Sequence, residues 1–337
     1  MALPKIKQEL TDAVLAAPVA EGGSWLTNAR EAARARLADM GMPVRQDEYW
    51  KFTNPEPWTG AQAFDTAAEL SDVFDGAKPL TLVFADGVFD ADASDPLALE
   101  NVTIELLADI AHTDLHWAKG LFGALENDSN LAVRRVGARL FKPVARPMAA
   151  LNTAQAEQGV LIHATGEVAR PIRLSYRSTG GDVMLHHLIK VDAGASVTVL
   201  EEGMVGARSN TMIEADVADD GTLHHLRIQA PESARAALTN LYARIGARST
   251  FKSFGFTANG AATRNEAVIE ILGAEATAHI AGACLGDNGV AKFHHDDTVY
   301  VTHDAYNCES RQVFKKVLRN GAVGVFQGKI LVQPDAQ

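Results

Sequence analysis

Residues 309–332 have the sequence ESRQVFKKVLRNGAVGVFQGKILV, in which two runs of alternating side chains flank a turn. Val313 and Val317 share one face of the first run, as the two-residue period of a β-strand requires. Asn320-Gly321 is a preferred turn dipeptide between strands. A helix ending at Gly321 is the competing interpretation. The alternation and the turn together favour strand, turn and strand.

Runs of the same kind recur from residue 147 onward, separated by Gly, Asp, Asn and Pro. They read GVLIHA, IRLSYR, VMLHHLIKV, SVTVLEE, TLHHLRIQ and AVIEIL. Residues 231–245 carry the one comparable helix signal among these runs. The succession of short runs and turn residues predicts a mainly β domain built from many short strands.

Two of these runs resemble each other, since residues 180–191 and 218–229 both have a turn followed by LeuHisHisLeu. The offset between the two runs predicts two coils of a stacked β solenoid. In a strand one histidine of each pair faces inward and the other outward. The stacked pairs His186/His187 and His224/His225 would therefore form a histidine ladder rather than a chelating site.

The N-terminal part of the chain, residues 1–60, is predicted to form a separate helical region. Asn28, with Glu31 three positions later, suits a capped helix start, and Gly41 suits its end. The aromatic residues that follow are interpreted as anchors that dock this region on the body: Trp50, Phe52 and Trp58.

Three parts are therefore predicted along the chain. Residues 1–60 form the N-terminal helical region, and residues 61–146 form a mixed α/β connecting region. Within the connecting region, residues 80–89 read LTLVFADGVF, which indicates a strand, an Asp-Gly turn and a second strand. Residues 147–337 form the β solenoid core.

Composition limits the classes of partner. The chain has 337 residues, 47% hydrophobic and 22% charged, enough for an extensive core. A net charge of -11 disfavours binding to nucleic acids and to anionic lipid surfaces. No apolar run approaches the roughly 20 residues that cross a bilayer, and residues 1–17 interleave apolar with charged side chains. We expect a cytoplasmic protein with no nucleic-acid or membrane partner.

Residues 294–308 contain three histidines, three aspartates and one cysteine, which are residue types that bind transition metals. In an extended strand His295 and His303 would share a face but lie roughly 26 Å apart, too far to ligate one ion. We interpret the segment as coil-surface ladders, corner hydrogen bonds or a partner interface. The alternative is a metal site that uses His295, His303 or Cys308.

The only two cysteines are Cys284 and Cys308. Two thiolates do not complete a zinc or iron–sulfur site, and a disulfide framework is excluded for so long a chain. Cys284 is expected to be a buried hydrophobic residue, and Cys308 a more exposed thiol. The GxxxxGKS/T, GxSxG, HExxH and GxGxxG motifs are missing from the sequence, so we expect no enzyme activity.

The sequence HDAYNCESRQVFKKVLRNGAVGVFQGKILVQPDAQ, residues 303–337, resembles the SufB/SufD family of iron–sulfur cluster assembly proteins, and its SufD branch most. Residues 148–176, MAALNTAQAEQGVLIHATGEVARPIRLSY, resemble the family's entry into its β domain. LIKVDAGASVTVLEE at 188–202 is similar to one of its coils, and GMPVRQDEYWKFT at 41–53 to the SufD N-terminal signature. Together the matches span nearly the whole chain.

The resemblance implies a right-handed parallel β-helix with an N-terminal helical region, acting as a scaffold rather than as an enzyme. It implies pairing with SufB through β-helix edges, binding of the ATPase SufC, and self-pairing into a homodimer as an alternative. It also implies that an iron–sulfur cluster is present only transiently in the complex. No cofactor is then bound tightly by this chain alone.

Family members continue beyond the point that corresponds to Gln337 into a C-terminal helical domain. The resemblance implies that this domain carries the SufC-docking helices and a histidine that faces SufB. None of His294, His295 and His303 lies in the motif of that histidine. Either the chain is part of a longer protein or its own SufC contact is lost.

Two other classes stay open at this point. A β-helical carbohydrate-active enzyme would use Asp296, Asp297 and His303, with carboxylates roughly 5–10 Å apart in a groove. A cupin-like metal-binding β protein would bring its histidines and Cys308 to one point. The path of residues 290–337 separates these classes, because parallel coils favour the scaffold and convergence favours the metal site.

Overall fold

The structure is a computed structural model that describes residues 3–64, 66–113, 116–131, 134–136, 139–141, 144–229, 234–289, 292–334 and 336. The N-terminal region is helical, as predicted. Its helices are α1 (Lys5–Leu15), α2 (Ser24–Met40) and α3 (Glu56–Thr59), with a 3-10 turn at Glu48–Trp50. Among the described residues, no helix is long and apolar enough to span a membrane.

Helix α2 begins before the predicted cap, so the prediction of Asn28 as its N-cap is wrong. Gly23 is the N-cap, and the side chains of Trp25 and Leu26 are buried within the first turn. Burial of these two apolar side chains stabilises a turn of helix that the capping pair did not reveal. The predicted end is confirmed, because Gly41 has φ 66°, which glycine adopts without a steric penalty.

The aromatic anchors are confirmed at two of three positions. Trp50 and Trp58 are buried and in edge-to-face contact, with ring centroids 6.0 Å apart. Phe52 is 56% exposed, so its assignment as an anchor is wrong. Its ring lies on the surface beneath the ammonium of Lys51, at 4.8 Å.

The connecting region contains the predicted strand, turn and strand. Strand β1 (Leu80–Ala85) pairs antiparallel with β2 (Val88–Phe89) across Asp86 and Gly87, both with positive φ. The other elements of this region are β3 (Ala98–Leu99), β4 (Val102–Leu106), α4 (Leu107–Ile110), α5 (Ala124–Leu131), β5 (Arg134–Val136) and β6 (Arg139–Phe141), with a 3-10 turn at Trp117–Gly120. Helix α6 (Pro147–Gln155) follows, at the start of the segment that was predicted as the solenoid core. The predicted domain boundaries stay predictions.

The remaining chain forms a parallel β solenoid, as predicted. Its strands are β7 (Val160–Ala164), β8 (Ile172–Arg177), β9 (Asp182–Val191), β10 (Ser196–Gly203), β11 (Arg208–Val217), β12 (Thr222–Gln229), β13 (Ala236–Ile245), β14 (Thr250–Ala258), β15 (Ala262–Ile271), β16 (Thr277–Asp287), β17 (His294–His303), β18 (Glu309–Arg319) and β19 (Val323–Val332). Two successive strands from β8 onward make one coil, which gives six coils. The chain from β17 to β19 therefore follows parallel coils.

The strands of the coils alternate between two sheets. The even sheet has the order β18-β16-β14-β12-β10-β8-β1-β2, and the odd sheet has the order β19-β17-β15-β13-β11-β9-β7-β4-β3. The connecting region therefore continues both sheets, since β1 pairs with β8 and β4 with β7. One end of the solenoid is closed by the two-residue strands β2 and β3. The other end is the final coil, β18 and β19.

The helix signal over residues 231–245 is wrong for the part that the structure describes, because Ala236–Ile245 is strand β13. Residues 231–233 lie outside the described residues. Every residue of β13 pairs in register with β11 on one side and β15 on the other. This pairing on both sides overrides the local helix propensity of the segment.

The coil length corrects the proposed repeat. Arg208 lies beside Asp182, 26 residues earlier, and Arg248 beside Asp220, 28 residues earlier. The offset between the two LeuHisHisLeu runs therefore spans about one and a half coils. It places these runs on β9 and β12, which lie in opposite sheets. The predicted histidine ladder is wrong for this reason.

The space between the sheets has an apolar half and a polar half. In the odd sheet one column of paired positions runs through all coils: Ile189, Ala215, Ala243, Ile269, Val301 and Ile330. Most of this column lies in the main hydrophobic core. Polar side chains from the other ends of the strands fill the second half of the interior.

Candidate functional site

Strand β17 holds the histidine- and aspartate-rich segment, and its two faces have different surroundings. His295 and Asp297 point into the solenoid, where both contact Lys316 of β18. His294 and Asp296 point outward and contact Thr53 of the N-terminal region. The predicted alternation of these residues between faces is confirmed.

The inward side chains form a buried polar group around Lys316. Its Nζ donates to His295 Nδ1 at 2.8 Å and to Asp297 Oδ2 at 2.7 Å. Burial lowers the pKa of His295 to about 4, so the ring is neutral at pH 7 and free to accept this hydrogen bond. Cys284 is buried, as predicted, and burial raises the pKa of its thiol to about 11.

The three metal candidates do not converge. His303 lies at the opposite end of β17 from His295, and its Nε2 is 2.8 Å from Ser310 Oγ. Cys308 Sγ lies 3.2 Å from the carbonyl oxygen of Gly273. In the described part of the chain, no three His, Cys, Asp or Glu side chains are grouped so that they could hold a metal ion.

The outward side chains form an ion network beneath the N-terminal region. Arg264 donates to Asp296 Oδ2 and to Glu266 Oε1, both at 2.5 Å, and its guanidinium lies 4.3 Å from the Trp50 ring centroid. Thr53 Oγ1 also donates to Asp296 Oδ2, at 2.5 Å. This network ties the N-terminal region to the outer face of the odd sheet.

The same geometry bears on the carbohydrate-active alternative. Asp296 and Asp297 are adjacent residues of one strand and point to opposite faces of the sheet. Asp296 is bound by Arg264 and Asp297 by Lys316, so neither carboxylate is available in a shared groove. A pair of acids on either side of a glycosidic bond is not formed by these two residues.

A second buried network joins the two sheets and was missed from the sequence. The hydroxyl of Tyr176 lies 3.2 Å from His187 Nε2 and donates to Glu201 Oε2 at 2.8 Å. His225 Nε2 is 2.7 Å from the other Glu201 oxygen. Burial would raise the pKa of Glu201, but the charge of Arg227 and the hydrogen bond from His225 lower it, so the carboxylate is ionised.

The inward and outward members of the histidine pairs differ as predicted. His187 is inward, and burial lowers its pKa to about 4. His186 is outward, where its Nε2 lies 3.0 Å from Glu214 Oε2 and its ring stacks on Phe122 at 4.3 Å. These contacts depend on the register between adjacent coils, which are offset by 26 and 28 residues at Arg208 and Arg248.

The final coil is the most exposed part of the solenoid. Strands β18 and β19 have 11 and 10 residues, and each is the edge of its sheet. Large apolar side chains are exposed along them: Val317, Leu318, Val323, Phe326, Ile330 and Val332. Contiguous exposed apolar residues on an unpaired edge mark a surface that another molecule or segment covers.

Comparison with known proteins agrees with this architecture. Residues 175–337 match the family model of the SufBD core domain, described as SUF system FeS cluster assembly. The iron-sulfur cluster assembly protein SufD of Escherichia coli (strain K12) is 26% identical over 323 residues, which cover 89% of this chain and 68% of that protein. The solenoid, its N-terminal helices and both matches support the SufB/SufD family of the SUF iron–sulfur cluster assembly system, in which this chain is most similar to SufD.

Proposed function

We propose that this chain is a cytoplasmic scaffold subunit of SUF iron–sulfur cluster assembly, which pairs through its final coil with a SufB-like subunit. A SufC-like ATPase completes the complex, and the nascent cluster is its cargo. The observation that carries the proposal is the contrast between the two ends of the solenoid. The family assignment supports the identity of the partners.

The edges of the two sheets support pairing at one end. Strands β2 and β3 have two residues each, which is too short to template a further strand. Strands β18 and β19 offer long unpaired edges on two sheets at once. A partner that adds strands to both edges would satisfy the backbone groups and bury the apolar side chains together.

The interior supports a role in binding rather than catalysis. The inward-facing ionisable groups described above hold one another in hydrogen bonds and ion pairs, and the Cys284 thiol has a raised pKa. A thiol with a raised pKa is a weak nucleophile at neutral pH. We propose that ATP hydrolysis belongs to the SufC-like partner and that this chain binds no cofactor tightly when alone.

Co-purification tests the proposal. The full chain is expressed with SufB-like and SufC-like subunits, with Ile330→Asp as the test variant and Val88→Asp as its matched control. Ile330 is exposed on the final coil and Val88 on the closed end. Ile330→Asp is expected to reduce capture of the SufB-like subunit at least tenfold, and Val88→Asp to leave it unchanged. Failure of the unaltered full-length protein to bind either partner would overturn the proposal.

A further inference from the structure

A cavity of about 70 Å³ lies between the even and odd sheets, in the polar half of the interior. One ordered water needs only about 10–15 Å³, so the space holds several waters or one small ligand. The side chains that matter for its chemistry come from both sheets: Arg227, Thr211, Asn265, Asp297 and Phe314. It reaches the final coil through Phe314, whose ring lies 4.8 Å from that of Phe326 on the surface proposed above.

Two glycines make this space. Arg227, Gly255, Gly282 and Phe314 are paired positions on successive strands of the even sheet. A Cβ atom at Gly282 would lie 2.8 Å from the Phe314 ring, so this glycine makes room for the ring. A Cβ atom at Gly255 would meet no atom within 4 Å. The space above Gly255 is therefore empty, between a guanidinium and an aromatic ring.

The guanidinium of Arg227 has hydrogen-bonding capacity to spare. Its Nη2 donates to Thr211 Oγ1 at 3.1 Å and lies 3.9 Å from Glu201 Oε2, beyond hydrogen-bonding distance. Both Glu201 oxygens accept from other groups, Tyr176 and His225. Across residues 144–229, 234–289 and 292–334, Arg227 has no further polar partner. A guanidinium carries five N–H donors, so most of them stay available.

The two acidic residues that line the cavity, Asp297 and Glu266, are already paired, Glu266 with Arg264 at 2.5 Å. Asp297 accepts from Asn265 Nδ2 at 3.0 Å through one oxygen and from Lys316 Nζ at 2.7 Å through the other. Glu201 does not line the cavity, since it lies one coil away on β10. The ionised Glu201 offsets the charge of Arg227 from 3.9 Å, but the unused N–H donors of Arg227 still line the cavity, and these donors favour an anion over a cation.

We propose that this cavity binds a small monovalent inorganic anion against the Arg227 guanidinium. The volume limits the ligand to the size of a halide or a few-atom ion. The Phe314 ring on the far side suits a weakly hydrated, polarisable anion better than a strongly hydrated one such as phosphate. Gly255 is the positioning residue, because any larger side chain there would fill the site.

Bromide is the probe, used with the full chain. Crystals soaked in sodium bromide are expected to show an anomalous peak beside the Arg227 guanidinium. In solution the melting temperature is expected to rise with bromide concentration at constant ionic strength, as binding to the folded state requires. Gly255→Val is expected to remove the peak and to lower the apparent bromide affinity at least tenfold. Valine suits a strand at this position, which has no positive φ.

Gly76→Val is the matched control, because a Cβ atom at Gly76 also meets nothing within 4 Å but the residue lies outside the cavity. It is expected to leave bromide binding unchanged. If Gly255→Val does not fold, Arg227→Gln tests the same claim with the cavity left open, and loss of the peak supports it. Ordered water alone beside Arg227, or a bromide peak that persists in Arg227→Gln, would overturn the proposal. Loss of partner capture leaves this result unaffected, so the two proposals fail separately.

Discussion

Ile189 and Ile330 are the same residue type at the same column of the odd sheet, in the first and the final coil. Ile189 is 1% exposed and Ile330 is 54% exposed. The strand pattern that places both side chains inward is identical. The difference shows that burial in a solenoid is supplied by the neighbouring coil and not by the strand itself.

The two ends also differ in what covers them. Strands β7 and β1 pack beside the first coil, and helix α6 contacts β9 and β11. The N-terminal region continues this cover along the outer face of the odd sheet as far as β17, where Thr53 meets Asp296 and Tyr49 meets Tyr300. These contacts reach β17, which is the neighbour of β19 in the odd sheet.

The largest expected effect comes from placing one charge at each of the two isoleucines. Ile189→Asp buries an unpaired carboxylate and is expected to prevent recovery of folded protein. Ile330→Asp is expected to change the free energy of unfolding of the isolated chain by less than about 0.5 kcal/mol. Urea denaturation followed by circular dichroism measures both. Equal effects of the two substitutions would show that the final coil is covered in the isolated chain.

The next effect tests the cover of the N-terminal region. Asp296→Ala removes the carboxylate that Arg264 and Thr53 share in a buried position. Arg264 keeps Glu266 but loses one of its two buried carboxylate partners, and this loss is expected to lower the free energy of unfolding by about 3–5 kcal/mol. Asp296→Asn, which keeps an acceptor oxygen, is expected to cost less. A loss below about 1 kcal/mol for the alanine variant in chemical denaturation would mean that this network does not hold the region in place.

The third effect is the dependence of stability on pH, with one buried histidine near each end of the solenoid. Burial lowers the pKa of both His187 and His295 from 6.5 to about 4, so the unfolded chain binds more protons between these values. The stability that the two neutral, buried histidines contribute to the folded state is fully present above pH 6.5 and is lost as the pH falls to about 4. Each histidine contributes a slope of up to about 1.4 kcal/mol for each pH unit.

Single substitutions separate the two titrations. His187→Asn and His295→Asn are each expected to reduce the pH dependence of the urea midpoint between pH 6.5 and 4. Each variant should lose the part of the slope that one histidine contributes. His295→Asn also removes the hydrogen bond from Lys316 Nζ to the ring, while the hydrogen bond from Lys316 to Asp297 is retained. A slope that is the same in both variants and in the unaltered chain would contradict this assignment of the buried charges.

The smallest effect is expected on the outer surface. Arg248 and Asp220 pair at 2.6 Å between adjacent coils, and both side chains are about half exposed. Exposed pairs are screened by solvent and contribute little. Arg248→Ala is therefore expected to leave the melting temperature unchanged within error, in contrast to the buried ion network at Asp296. A clear drop in melting temperature would show that coil-to-coil surface pairs also hold the stack together.

Local patterns were predicted correctly wherever strand period or turn chemistry decided the outcome. The alternation at His294 to Asp297 placed each side chain on its observed face, and Asp86-Gly87 formed the expected turn. The strand over Glu309–Arg319 was also chosen correctly against a helix. These features depend on a few neighbouring residues, which the sequence displays directly.

Features that depend on register between coils were not predictable from the sequence. The repeat of LeuHisHisLeu suggested that the two runs stack on each other. Because each coil has two strands, the runs instead lie in opposite sheets, on β9 and β12. Lys316 meets His295 and Asp297 only after β17 and β18 are assigned to opposite sheets. Gly255 and Arg227 lie one full coil apart along the chain. Their proximity is known only after β12 has been paired with β14.

The two-residue strands β2 and β3 limit the assemblies that this molecule is able to build. Growth of a fibre by end-to-end addition requires a binding surface at both ends of every subunit. A solenoid that has no pairing edge at one end cannot bind a further subunit there. Under the proposed pairing, assembly through sheet edges would stop at two subunits joined by their final coils, because the four residues of β2 and β3 offer no edge for a third.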